Sequence, residues 1–229
     1  MKPARLVTGV LLIAVPLLFT LGFTALQMTF DYPDILRRPA SEVLTRFFEA
    51  GAPLRLYWYA MFAAGLGLIP AVIGVSALTW RQNAYVASLA AGFGVLAGLV
   101  QALGLLRWVM LVPTLAATFA SPGATDIDKA LAVSTFDAAN AYLGMGVGEH
   151  MGYLFTALWT VMVAILIAPR FRIFAWLGVV LALGIAAGMT EPFGVTWAAD
   201  VNALAFTGWS LWSLMLGVLV VWRGLGESA

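Results

Sequence analysis

The sequence predicts an all-α, polytopic transmembrane helical bundle of six spans, and three observations carry that prediction. Hydrophobic residues make up 62% of the 229 residues and charged residues only 10%, with a mean hydropathy of +0.96; a soluble domain has roughly a quarter of its residues charged. The apolar segments run from Leu6 to Val221 and leave no stretch able to build a separate aqueous core, so residues 1–229 read as a single transmembrane domain. Six of these segments reach the roughly 17–25 residues with which a helix crosses a hydrocarbon core about 30 Å thick.

The first span is predicted over Leu6–Met28, behind Lys2 and Arg5. Its apolar run is too long for a signal peptide and no convincing small-residue cleavage site follows, so it reads as an uncleaved helix. The second runs from Leu54 to Leu78 with a kink expected at Pro70, and the third from Ala84 through Leu106 towards Pro113, with Arg81 in the tight turn between them. The fourth covers Gly144–Ile167, the fifth Ile173–Met189 and the sixth Trp197–Val221, with Pro169 and Pro192 marking the turns. Of the nine tryptophans, most fall near span ends, where an indole sits well at headgroup level; Trp159, Trp209 and Trp212 lie deeper and are expected to pack.

Short cytoplasmic loops retain lysine and arginine. Lys2, Arg5, Arg81, Arg170, Arg172 and Arg223 share one side, while Asp31, Asp34, Glu42, Glu49, Asp126, Asp128, Asp137, Glu191 and Asp200 share the other with Arg37, Arg38 and Arg46. This predicts a multi-pass membrane protein with both termini inside. The net charge of +1 includes no basic tract, which removes nucleic acid from the partner classes. The partners left are the lipid bilayer itself and a membrane protein or a second copy of this chain. With no cysteine, neither a disulfide nor a thiolate metal site is available.

Two features are expected on the outer side. Ala40, Val43, Leu44, Phe47 and Phe48 repeat at helical spacing while Glu42, Arg46 and Glu49 take the opposite face, so the first outer loop should hold an interfacial amphipathic helix. Pro39 is placed to open it and Gly51 to close it, and it should lie flat on the membrane as a cap over the bundle or a gate. After Ser121-Pro122-Gly123, Asp126 is placed to cap a helix that continues through Asn140 into the fourth span.

Lipid supplies no hydrophobic drive between helices, so they meet where small side chains let backbones approach. Asn140, Gly144, Gly148, Gly152 and Thr156 form such a ridge on the fourth helix, and Ala90, Gly94, Gly98 and Ala102 one on the third. These two ridges are expected to pack together.

Ionisable residues inside a span cost about 2.5–3.5 kcal/mol each on insertion scales, so they face inward and find partners. Arg107 closes the third span, and Glu149 and His150 open the fourth at similar depth near the outer boundary. An Arg107–Glu149 pair is expected, with His150 facing a neighbouring groove and Tyr153 one turn further on. Gln101 extends a polar path inward, although helical phase puts it on a different face from Arg107. Asp31, Asp34 and Glu191 are further outer-side contributors. No catalytic residue set stands out: a catalytic zinc needs three protein ligands and His150 is the only histidine. A Gly-x-Ser-x-Gly elbow, an HExxH motif and a phosphate-binding glycine loop are all missing. No cofactor is indicated, though His150 would suffice as a single ligand to a haem or chlorophyll.

The segments Phe30-Asp31-Tyr32-Pro33-Asp34-Ile35-Leu36, Leu105-Leu106-Arg107-Trp108 and Gly148-Glu149-His150-Met151-Gly152-Tyr153-Leu154 resemble an uncharacterised family of bacterial six-helix integral membrane proteins, a family of unknown function. The resemblance covers nearly the whole chain. It implies the fold already read from the spans, brings no activity or ligand, and marks Asp31, Asp34, Arg107, Glu149 and His150.

The favoured functional expectation is a non-enzymatic protein whose outer-facing cluster of Arg107, Glu149, His150 and Tyr153 binds a small ligand, ion, pigment or partner subunit in an accessory or sensor role. Imidazole changes charge between about pH 5 and 8, which makes pH sensing through His150 a sub-hypothesis. The alternatives are a small ion- or proton-coupled transporter and an intramembrane hydrolase.

Overall fold

The computed structural model describes residues 3–225, so Lys2 lies outside the described residues. Helix α1 (Pro3–Phe30) leads through a 3-10 turn (Asp34–Arg37) into α2 (Ala40–Thr79). There follow α3 (Ala84–Met110), α4 (Val112–Ala120) and α5 (Asp126–Ala139). A π-helix (Asn140–Met151) then joins α5 to α6 (Gly152–Ile167). The chain closes with α7 (Arg172–Ala187), a second 3-10 turn (Gly188–Phe193) and α8 (Ala198–Arg223).

Six helical units are long and apolar enough to cross a membrane: Pro3–Phe30, Ala40–Thr79, Ala84–Ala120, Asp126–Ile167, Arg172–Phe193 and Ala198–Arg223. The protein is therefore a multi-pass helical membrane protein with six spans, as the sequence predicts. Each span packs on the next in the order α1, α2, α3, α6, α7, α8, and α8 returns to α1, which closes the ring. Leu21, Leu56, Leu183, Leu204 and Leu211 are among the large apolar side chains left exposed on the outer wall. In water such a surface would be a liability; in a bilayer it is the solvated face.

One end of the bundle carries Arg5, Arg81, Arg170 and Arg172 and is called the basic end; the other carries most of the carboxylates among the described residues and is called the acidic end. At the basic end the last carbonyls of α8, which no helical N–H can reach, are taken by side chains from elsewhere. Arg5 donates from Nε to the Val220 carbonyl at 2.7 Å and from Nη2 to Val221 at 3.0 Å. Gln82 donates to Leu225, which is itself buried.

The acidic end is closed by a cap. In α2 the residue Gly51 stands at φ +65°, a backbone conformation that costs glycine no Cβ clash, and it turns the segment Ala40–Ala50 away from the span that follows. Pro39 is the N-cap residue of that segment, as its position in the sequence suggested. Val43, Leu44 and Phe47 do not face lipid, however; they are buried against Phe30, Ile35, Trp58, Trp108 and Phe136. The amphipathic stripe is thus a lid on the protein core. Phe48 alone of the two phenylalanines stays exposed. The Trp58 and Trp108 rings stack beneath the lid, 4.4 Å between centroids and 4° from parallel, and neither is exposed at all. These two indoles are core residues and not the headgroup anchors expected from their positions; Trp80, Trp176, Trp197 and Trp222 are the exposed ones.

Helix α3 ends at Met110, between the predicted limits of Leu106 and Pro113, and Pro113 sits in the first turn of a separate short helix, α4, where a missing N–H costs nothing. One boundary differs from expectation. Helix α5 is capped by Thr125 and not by Asp126: the Thr125 hydroxyl accepts from the Asp128 N–H, and the Asp128 carboxylate accepts from the Thr125 N–H at 2.9 Å. That reciprocal pair satisfies two of the orphan donors at the helix start.

Candidate functional site

The site is built where α3 crosses the π-helix. A Cβ on Gly104 would lie 2.6 Å from Gly148 Cα and 3.0 Å from the Leu143 carbonyl oxygen, so the two backbones are in contact there. The fourth-span ridge packs on α3 as predicted, with Gly144 against Arg107, Gly148 against Gly104 and Gly152 against Gln101. Its counterpart on α3 is different from the one expected. Gly98 and Ala102 contact Gly65 and Ile69 of α2, while Gly94 sits between Val72 of α2 and Trp159 of α6. The row that meets the fourth span is Gln101, Gly104 and Arg107, at a spacing of three. Helix α3 has two neighbours, and its stripe of small residues serves the other one.

Arg107 lies across the π-helix and is only 7% exposed. Its guanidinium occupies the space a side chain at position 144 would fill, since a Cβ on Gly144 would come within 2.5 Å of Nη2. From there Nη2 donates to Asn140 Oδ1 at 3.0 Å and Nη1 donates to the Gly104 carbonyl. The guanidinium carbon stands 5.4 Å from the Trp108 ring centroid, and Nε has no hydrogen-bond partner among the described residues. Among the described residues no ion pair joins Arg107 to Glu149. The expected pair is replaced by neutral partners for a geometric reason. Gly148 faces α3, and Glu149, the next residue round the helix, turns into the groove towards α7, the same groove as His150.

In that groove Glu149, His150 and Tyr153 meet Glu191, with Met145 and Pro192 beside them, around a pocket of about 20 Å³. The volume exceeds the roughly 10–15 Å³ that one water needs. None of these four polar side chains makes a hydrogen bond or ion pair with a described residue, although Glu149, His150 and Tyr153 are each half-buried. Buried polar groups in proteins are as a rule hydrogen-bonded, to protein or to water. Tyr153 is held by its ring, 5.6 Å from Phe206 of α8. Glu191 is placed by the 3-10 turn that ends α7. Buried Asn202 of α8 donates to the Ile185 carbonyl at 2.8 Å, just where α7 gives way to that turn.

Of the other residues marked in the sequence, Gln101 donates to Thr156 Oγ1 at 3.0 Å and does not reach the pocket. It does face the fourth span, as Arg107 does, because residues at spacing three wind across the crossing helix. A polar thread continues inward from it. Thr160 donates to the Thr156 carbonyl at 2.7 Å, and Trp209 Nε1 donates to Thr160 at 2.8 Å. Asp31 belongs to an exposed network with Arg38, which also binds Glu42 at 2.6 Å, and Asp34 is exposed on the first 3-10 turn. Neither lines the pocket.

Sequence reasoning missed Asn140 as the partner of Arg107, although it stood on the glycine ridge. It also missed Tyr32, next to Asp31. Burial raises the Tyr32 phenol to about 12, Glu149 adds to that and Arg107 opposes it, which places the phenol within electrostatic reach of both. The π-helix itself was not foreseen. Its one legible signal is the set Gly144, Gly146 and Gly148, three weak helix formers within five residues. Such wide turns are rare and recur at functional sites.

Residues 7–224 match the model of a domain of unknown function, DUF4386. The chain belongs to the DUF4386 family. No curated protein and no solved structure matches it. Among the described residues of this DUF4386 protein, no three His, Asp or Glu side chains come together so as to hold a metal ion.

Replacing Asn140 with leucine removes the one side-chain acceptor of a buried cation. The expected cost is about 1–3 kcal/mol, read as a lower melting temperature in detergent; an unchanged melting temperature would mean that Arg107 finds another acceptor.

Proposed function

We propose that this protein is a non-enzymatic component of a bacterial cytoplasmic membrane, with both termini inside, that binds a small ligand or ion in the pocket at its acidic end. The orientation rests on Arg5, Arg81, Arg170 and Arg172 at the basic end. The function rests on one observation: Glu149, His150, Tyr153 and Glu191 converge on one pocket, and none of them has a hydrogen-bond or ion-pair partner among the described residues. A set of polar groups left unpaired at the edge of a membrane is stabilised by what it binds. Arg107 supports the site from behind without entering it. A pocket of 20 Å³ suits an ion or a water-sized group and not a porphyrin ring. It is lined by no serine or threonine nucleophile, which disfavours a hydrolase.

The test is native mass spectrometry, with an absorption spectrum, on protein extracted gently from its own membrane. Wild type should carry a bound mass that Glu149→Gln and His150→Ala both lose; a bare protein in all three samples would sink the proposal. The second reading, a small coupled transporter, is favoured by the polar thread from Gln101 through Thr156 and Thr160 to Trp209. Ion flux into proteoliposomes that Thr160→Val abolishes would establish it over simple binding.

A further inference from the structure

We infer that Gly224 and Leu225, the two residues that follow α8, form a plug that closes the basic end of the six-helix ring, and that their release opens the interior to water on that side. The inference does not depend on what the acidic-end pocket binds. It starts from the backbone, where Gly224 stands at φ +68° and ψ 157°, a region essentially reserved for glycine. The chain therefore leaves the axis of α8, and Leu225 turns into the protein. Although it lies beyond the last span, its side chain is only 3% exposed and belongs to the same buried apolar cluster as Val75, Leu166, Ile167 and Ala175.

The tethers on this segment come from three places in the ring, and those places decide where it lies. Arg5, in the first turn of α1, holds the Val220 and Val221 carbonyls, and its guanidinium is 3.3 Å from where a Cβ on Gly224 would stand. Gln82, in the turn between α2 and α3, donates to the Leu225 carbonyl. Arg170, in the turn between α6 and α7, donates to the Gly224 carbonyl at 3.5 Å. In the ring order these are separate sectors: α8 with α1, α2 with α3, and α6 with α7. A segment that touches all of them crosses the mouth they surround. Capping of α8 does not account for it. The Gly224 N–H already returns to the Val220 carbonyl at 3.3 Å, and end carbonyls on an aqueous side can bond water. Ordering residues beyond the helix costs conformational entropy, which the buried leucine and the distant donors offset.

The chain contains no cysteine, so a single introduced thiol reports access. Ser76→Cys places one at a residue 4% exposed, one turn from the basic end of α2. Its reaction rate with a charged, water-soluble maleimide is measured on the full chain in detergent, alone and combined with Gly224→Val or Leu225→Asp. Valine is strained at the Gly224 dihedral angles, and aspartate is costly in an apolar cluster, so each releases the plug by a different route. Ala116→Cys, fully buried at the acidic end, and Ser121→Cys, exposed there, give the protected and free rates. Ser76→Cys should be protected on its own and react at least about tenfold faster with either plug variant, while Ala116→Cys stays protected in both. Any of three results overturns the inference. Ser76→Cys could react as fast as Ser121→Cys with the plug intact, or neither plug variant could change its rate. Ala116→Cys could open in parallel with it, which would make the segment a brace for the whole fold and not the closure of one end.

Discussion

Gly104→Leu is expected to prevent assembly of the bundle, with a loss of more than about 3 kcal/mol, beyond the roughly 1–3 kcal/mol typical of an overpacked core. Even one carbon added at this position would stand 2.6 Å from Gly148 Cα and 3.0 Å from the Leu143 carbonyl oxygen. Both are backbone atoms, so no rotamer change relieves the overlap and the helices must separate. Separation would take Arg107 away from Asn140, since the two side chains bridge the same crossing. The control is Gly92→Ala, where an added Cβ meets nothing within 4 Å. A temperature ramp followed by gel filtration in detergent should show Gly104→Leu as aggregate and Gly92→Ala as wild type. If both variants melt within about 2 °C of wild type, the close crossing does not hold the bundle together.

The second large effect is expected at the lid. Trp108 stacks on Trp58 and lies 5.8 Å from the rings of Phe30 and Phe136 and 5.9 Å from Phe47. Truncating a fully buried indole costs about 3–5 kcal/mol, and the aromatic pairs add about 0.5–1.5 kcal/mol each beyond area. Trp108→Ala should therefore free the segment Ala40–Ala50 and expose it to protease while the spans stay folded. Trp58→Phe is the informative contrast. It shortens a ring but also removes a buried indole N–H that has no hydrogen-bond partner among the described residues, a group whose burial costs about 1–3 kcal/mol. Its net effect is expected to be small, with the lid still protected. A lid digested equally in both variants would show that ring area, and not this one stacking geometry, holds it down.

Much of the architecture was legible in the residues alone, and the reason is physical. In a bilayer every backbone group must be satisfied within its own segment, so span length and charge asymmetry nearly determine the count of helices. The predicted Ile173–Met189 and the observed α7 (Arg172–Ala187) differ by a residue or two, as do Trp197–Val221 and α8 (Ala198–Arg223). The cap segment was legible as a helix with an apolar stripe, because periodicity reports a face. Its place as a cap over the bundle was expected too; what periodicity left open was whether lipid or protein covers the apolar stripe, and protein does.

The candidate site divides in the same way. Glu149, His150 and Tyr153 were visible as polar residues at the outer end of a span and Glu191 as an outer-side contributor, and all four line the pocket. The pairing of Arg107 with Glu149 was inferred from charge and depth, two scalars that leave the azimuth of each side chain open. The azimuth is set by which residue sits at the crossing. Gly104 and Gly148 take that place, which turns Glu149 towards Glu191 and leaves Arg107 to a neutral partner. The sequence by itself determined how many helices cross the membrane and which end is acidic, through hydropathy and the cost of burying charge. Only the tertiary structure decided which polar groups meet, since backbone contact at two glycines fixes the rotation of every residue around them.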